Sequence, residues 1–163
     1  MSPTPAEAGP LRILPADGPA DLGEVRALME EYWAAFDLSP CFQGFAQELA
    51  ELPGAYAPPA GALLLARVGD AVAGVVALRP MAPDGNEDGA GEMKRLYVRP
   101  AFRGRGIARK LVAAVVAEAR GRGYRILRLD TLDRMAAARQ LYAQLGFAAG
   151  AEIDGVLHYE FPL

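Results

Sequence analysis

Apolar residues recur at helical spacing in four stretches of the chain, and short β-branched runs stand between them. The first helical stretch carries Leu22, Val25, Leu28, Met29, Tyr32 and Phe36 on one face, the rhythm of an amphipathic helix. Asp21 stands three residues before Glu24, so a capping box predicts the helix start there. A second helix is predicted over residues 42–52, with Phe42, Phe45 and Leu49 inward and Pro53-Gly54 as its stop. The aromatics of these two helices serve core packing or shape a pocket; spacing alone leaves both open. A third helix spans 107–122, with Ile107, Leu111, Ala114 or Val115, and Glu118 on one side and Gly121 and Gly123 as stops. The fourth covers 134–145, with Met135, Ala138, Leu141, Tyr142 and Leu145 on one face and Gly146 as C-terminal cap.

The strand pattern fills the gaps. Residues 11–14 form a first short strand, and 61–68 and 72–78 are apolar runs separated by Gly69-Asp70, a hairpin signal. The segment 83–91, PDGNEDGAG, reads as a flexible loop. Strands follow over 92–99, ending at Pro100, and over 125–131, with two short ones at 147–150 and 157–161. Strands alternating with helices predict a mixed α/β sheet. At 163 residues the chain fits one domain over 11–163, preceded by a loose tail over 1–10.

Composition narrows the chemistry. One cysteine, Cys41, excludes an internal disulfide and a cysteine-held zinc, and no credible metal ligand set appears. Cys41 lies beside an apolar helix start, where an inert thiol is the simpler reading than an acyl-carrying nucleophile. Neither a basic-then-apolar leader nor a membrane-length apolar run is present, so a cytoplasmic protein without membrane contact is expected. Charge is unevenly spread. Residues 94–139 hold 13 basic and three acidic residues, a net +10, whereas 1–93 carry a net −10. A basic centre in an acidic chain predicts a local site for a compact polyanion rather than for nucleic acid.

Residues 96–108, LYVRPAFRGRGIA, place that centre at a strand, a basic glycine-rich turn and a helix start. The first amides of a helix lack intrahelical partners and the macrodipole adds positive charge there. Glycines at Gly104 and Gly106 admit a phosphate, and Arg103 and Arg105 add bidentate cations. The loop lacks the Gly-Lys-Ser/Thr of a Walker loop, and Arg109 stands where a dinucleotide fingerprint needs its last glycine.

Arg103-Gly104-Arg105-Gly106-Ile107-Ala108 resembles the R/Q-x-x-G-x-G/A signature of the GNAT-type N-acetyltransferases. Leu96-Tyr97-Val98 before it is similar to that family's L-x-V strand, and Leu141-Tyr142-Ala143-Gln144-Leu145-Gly146-Phe147 to its L-Y-x-x-x-G-F segment. The resemblance implies a mixed, mostly antiparallel sheet with a central splayed parallel strand pair and helices on both faces. It implies that acetyl-CoA lies in the splay, its pantetheine pairing with backbone at Leu96 and Val98 beside Tyr97. Its pyrophosphate would rest on the amides of Gly104, Arg105, Gly106, Ile107 and Ala108. The family often has asparagine seven residues before the tyrosine; Met135 stands there instead.

Acetyl transfer to an amine needs a neutral amine, a stabilised oxyanion and a protonated leaving thiolate. The resemblance puts Tyr142 beside the sulfur as acid; a phenol near pKa ~10 can donate to a thiolate of about 8.5. Glu92 is the candidate base, expected to share one strand face with Lys94, Leu96 and Val98; a water chain is the alternative. His158, the sole histidine, either serves structure or lines the acceptor site. The expected partner is a small-molecule or peptide amine, with monomer and homodimer both open. A non-catalytic acyl-CoA-binding module is the rival reading.

Overall fold

The computed structural model describes residues 9–39, 44–81 and 89–163. Most of the expected tail, Cys41, Phe42 and most of the expected 83–91 loop lie outside the described residues. The elements run β1 (Leu11–Pro15), α1 (Gly18–Ala35), α2 (Phe45–Glu51), β2 (Ala62–Val68), β3 (Ala71–Pro80), β4 (Ala90–Val98), α3 (Ile107–Gly121), β5 (Ile126–Leu132), α4 (Ala136–Gln144), β6 (Ala148–Ile153) and β7 (Val156–Pro162). The seven strands form one sheet in the order β1-β2-β3-β4-β5-β7-β6. Every pairing is antiparallel except β4 with β5. The mixed sheet implied by the resemblance is therefore present.

Each face of the sheet holds its own core. Val25, Leu28, Met29 and Trp33 of α1 pack with Phe45 of α2 against Leu63, Leu65, Val75 and Ala77. On the other face Leu111 and Val115 of α3 and Tyr142 of α4 pack with Leu78, Leu127 and Leu129. Such a fully buried leucine contributes about 1.5–3 kcal/mol relative to exposure. The hairpin at Gly69-Asp70 is as the sequence reads, with Val68 opposite Ala71.

Three expectations shift. α1 begins at Gly18, three residues before Asp21, because Asp17 stands at the N-cap and Pro19 suits the first turn. Asp21 instead accepts the Asp17 amide N–H at 2.8 Å and pairs with Arg67 at 2.9 Å. In α3 the inward face is Ile107, Leu111, Val112, Val115 and Ala119, while Glu118 turns out to pair with Arg122. The expected common face of Glu92, Lys94, Leu96 and Val98 does not exist. Between the pairs Ala77↔Lys94 and Val75↔Tyr97, β4 spends three steps where β3 spends two. That is a β-bulge at Arg95, whose φ is +61°, and it reverses the alternation. Glu92 and Lys94 therefore face α1, whereas Leu96 and Val98 face α3.

The bulge also opens the sheet. β4 and β5 pair only at Ala90↔Ile126, Gly91↔Leu127 and Glu92↔Arg128, while β5 stays paired to β7 through Leu132↔Val156. Beyond Glu92 the two parallel strands diverge.

Candidate active site

The divergence leaves a solvent-open cleft of about 1040 Å³. Its β4 wall is built by Met93, Lys94, Arg95, Leu96, Tyr97 and Val98, and its β5 wall by Leu129, Asp130 and Thr131. Tyr32 of α1, Phe36 just past its end, Met135, and Ala138, Leu141 and Tyr142 of α4 close it, with Arg103 and Ala108 at the loop end. The cleft thus gathers Leu96, Tyr97, Val98, Arg103, Ala108, Met135 and Tyr142, seven of the residues singled out in the sequence.

The bulge is clamped from the α1 side. Arg95 is buried, donates to both carboxylate oxygens of Glu48 at 2.8 and 2.9 Å, and lies over the Trp33 ring with its guanidinium carbon 4.5 Å from the centroid. Trp33 in turn stacks on Phe45 at 3.8 Å. A non-glycine residue at positive φ costs about 1–2 kcal/mol; the paired, stacked guanidinium offsets it. Gly74 faces the end of the bulge, and a Cβ there would meet the Tyr97 carbonyl oxygen at 2.7 Å.

At the cleft mouth, Gly104 and Gly106 hold φ values of +79° and +75°, and a Cβ on either would meet nothing within 4 Å. The first backbone bond into α3 runs from Lys110 N–H to the Gly106 carbonyl. Amides of Ile107, Ala108 and Arg109 are therefore left without helical acceptors. Glycine is needed here for its backbone conformation, and the space in front is open, a cradle that fits a diphosphate. Arg103 stays beside it through an Nε donation to the Val98 carbonyl at 3.0 Å. Ile107 itself is buried in the α3 core, so it offers its amide rather than its side chain.

Tyr142 is 6% exposed, between Phe147 and Tyr159 at ring distances of 5.8 Å each. Burial, reinforced by the neighbouring phenols Tyr32 and Tyr159, pushes its pKa well above the usual value. It holds its proton across any working pH. Met135 occupies the place of the family's asparagine as a thioether knot: the Tyr32 hydroxyl donates to its sulfur at 3.7 Å and the Thr131 hydroxyl at 3.5 Å. Glu92 is not among the cleft-lining residues. It is 4% exposed and accepts the Arg79 Nε–H at 2.8 Å. Lys94, which does line the cleft, has its pKa lowered chiefly by burial, against the opposing pull of Glu92.

Tyr32, Lys94, Arg95, Asp130 and Thr131 complete the walls without having been singled out in the sequence as site residues. Tyr32 falls in the apolar rhythm of α1, which masks its second role. The adjacent charges Lys94-Arg95 inside a strand were the available sign of a bulge.

A splayed parallel pair with a glycine-bent helix start at its mouth is the geometry the sequence resemblance called for. The profile of the acetyltransferase (GNAT) family matches residues 25–147. This chain belongs to that family. Its GNAT membership makes it an acyltransferase that uses an acyl-CoA. The chain is also similar to an uncharacterised N-acetyltransferase of Schizosaccharomyces pombe, 38% identical over 130 residues, 79% of this chain and 77% of that protein. Among solved structures, a GNAT acetyltransferase from Staphylococcus aureus shares the fold with a TM-score of 0.78 at 16% identity, covering 94% of this chain and 99% of that one. An acetyltransferase from Salmonella typhimurium, solved with its cofactor acetyl-CoA, has a TM-score of 0.68 at 22% identity and covers 94% of each chain.

Proposed function

We propose that this GNAT protein transfers an acetyl group from acetyl-CoA to a primary amine by direct attack, both substrates being bound together. The observation that carries the reading is a cleft lined by the bulged β4 wall and by Tyr142, with Arg103 and Ala108, which flank the Gly104–Gly106 turn, at its loop end. Bound acetyl-CoA supplies an activated acetyl thioester. The amides of residues 104–108 and the guanidinium groups of Arg103 and Arg105 hold its diphosphate. Backbone groups at Leu96 and Val98, freed from β5 by the splay, pair with the pantetheine amides as an added strand would. Leu129, Leu141 and Ala138 exclude water from the arm.

Tyr142 donates its phenolic proton to the departing thiolate, and its burial keeps that proton in place until then. Glu92 receives the amine's proton through intervening water, since its carboxylate is buried behind Arg79. Direct attack is the simpler course, since the described residues that line the cleft include no cysteine or serine to carry an acyl group. The test is calorimetry with acetyl-CoA together with a panel of primary amines assayed for free CoA thiol. Binding with amine-dependent thiol release supports the reading. Absence of heat with acetyl-CoA and with CoA ends it, and binding without release to any amine leaves only a sensing role.

A further inference from the structure

The acetyl-transfer reading leaves the acceptor's place open, and one side-chain pair outside the roles assigned above stands at the edge of the cleft. Asp130 on β5 and His158 on β7 are directly opposite in the antiparallel ladder. Their side chains meet at 2.6 Å, His158 Nδ1 to Asp130 Oδ1. Asp130 lines the cleft that holds Tyr142, and it also lines a second, solvent-open groove of about 790 Å³ over β5, β6 and β7. His158 belongs to that groove. The carboxylate therefore sits at the junction of the two spaces. Both side chains are reachable, with relative exposures of 23% for Asp130 and 42% for His158.

We propose that Asp130, oriented by His158, is the docking carboxylate for the ammonium group of a cationic primary alkylamine, whose carbon chain lies in the groove over β5–β7. This rests on the acetyl-transfer reading and adds to it the acceptor's class and position. The other charges on this stretch of sheet are already matched: Arg128 pairs with Glu160 at 3.3 Å and Arg79 with Glu92 at 2.8 Å. Lys94, across the splay, has Glu92 two residues away on its own face. One oxygen of Asp130 is engaged by the imidazole, and a carboxylate keeps further lone pairs for a second donor. An ammonium held there gains a hydrogen bond and the attraction of opposite charges in a partly dry place, where a neutral head group gains only the hydrogen bond and an anionic one is repelled. Met81, Gly150, Ala151 and the 58%-exposed Ile153 give the groove an apolar lining for an alkyl chain. From this junction the nitrogen faces the cleft in which Tyr142 meets the thioester. Its proton leaves toward Glu92, on the same sheet face one strand away.

The sole histidine reports on the site by itself. Titrating the protein in the presence of CoA with n-butylamine is expected to move the His158 imidazole resonance saturably, with n-butanol leaving it still. In Asp130→Asn the shift with butylamine is expected to vanish. In kinetics, D130N raises the KM for butylamine about tenfold or more while the KM for acetyl-CoA stays within about twofold. His158→Leu raises the amine KM severalfold, and the conservative H158N, whose amide still donates to Asp130, retains most of the affinity that H158L loses. An unchanged amine KM in D130N, or an equal imidazole shift in D130N and wild type, overturns the docking site while acetyl transfer stands. Failure of the wild type to bind acetyl-CoA would sink the transfer reading itself, and the docking site with it.

Discussion

Burial has two opposed consequences for the chemistry at Tyr142. A phenol shut among Phe147, Tyr159 and the α3-side core resists ionisation, so its proton is in place when the thiolate forms, but the same burial makes it a weaker acid that donates only to a thiolate desolvated beside it. Tyr142→Phe keeps the packing and removes only the proton. The kcat is expected to fall about a hundredfold or more, with the KM for acetyl-CoA within about twofold, read from steady-state thiol release. Turnover at the wild-type level would strip Tyr142 of the role. For Glu92 the expected signature is also in turnover: E92Q lowers kcat about tenfold or more while the KM for acetyl-CoA stays within about twofold. A kcat unchanged in E92Q hands the amine's proton to a water chain instead. Tyr142 was readable in the sequence because a local motif carries it. Asp130 and His158 were not, because 28 residues separate them and only the β5–β7 register makes them neighbours. Met135 was readable as a departure from the family pattern; that its sulfur accepts from α1 and β5 was not.

Elements built on local rhythm were read nearly as they stand, and those that depend on a partner strand were not. The hairpin, α3, α4 and β5 fall within two residues of expectation, since turn chemistry and helical periodicity are written in consecutive residues. The bulge in β4 is different. Strict alternation predicts one face for Glu92, Lys94, Leu96 and Val98, and one extra residue undoes it. What holds that residue is tertiary: Glu48 from α2 and the Trp33 ring from α1. Removing one partner of a buried ion pair leaves an uncompensated charge, so Glu48→Ala is expected to cost roughly 3–5 kcal/mol in denaturant unfolding. If the bulge also shapes the cleft, E48A protein that remains folded shows weaker acetyl-CoA binding as well. A loss below about 1 kcal/mol would mean that the bulge is fixed by the β3 register alone.

Across the whole molecule, two ion pairs tie the acidic first part to the basic centre. Arg95 pairs with Glu48 and Arg99 with Glu31, each joining the +10 stretch to the −10 stretch, while Arg122 and Arg139 find acids within the centre itself. Part of the uneven charge along the chain thus records how α1 and α2 dock on the sheet, which sequence alone cannot separate from a ligand site. At the α3 start Arg103, Arg105, Arg109 and Lys110 are all exposed, beside the first amides of the helix. Exposed cations are screened by salt and fixed amides much less so; the Debye length falls from about 10 Å at 0.1 M to about 3 Å at 1 M. The Kd for CoA is therefore expected to rise about three- to tenfold between roughly 0.05 and 0.5 M sodium chloride. In an Arg103→Gln, Arg105→Gln double variant the low-salt Kd should already be weak and its salt dependence shallow. The melting temperature should move little in either protein, because the Arg95–Glu48 pair is buried. A steep salt dependence that survives the double variant would transfer the diphosphate grip to Arg109 and Lys110, one turn further into α3.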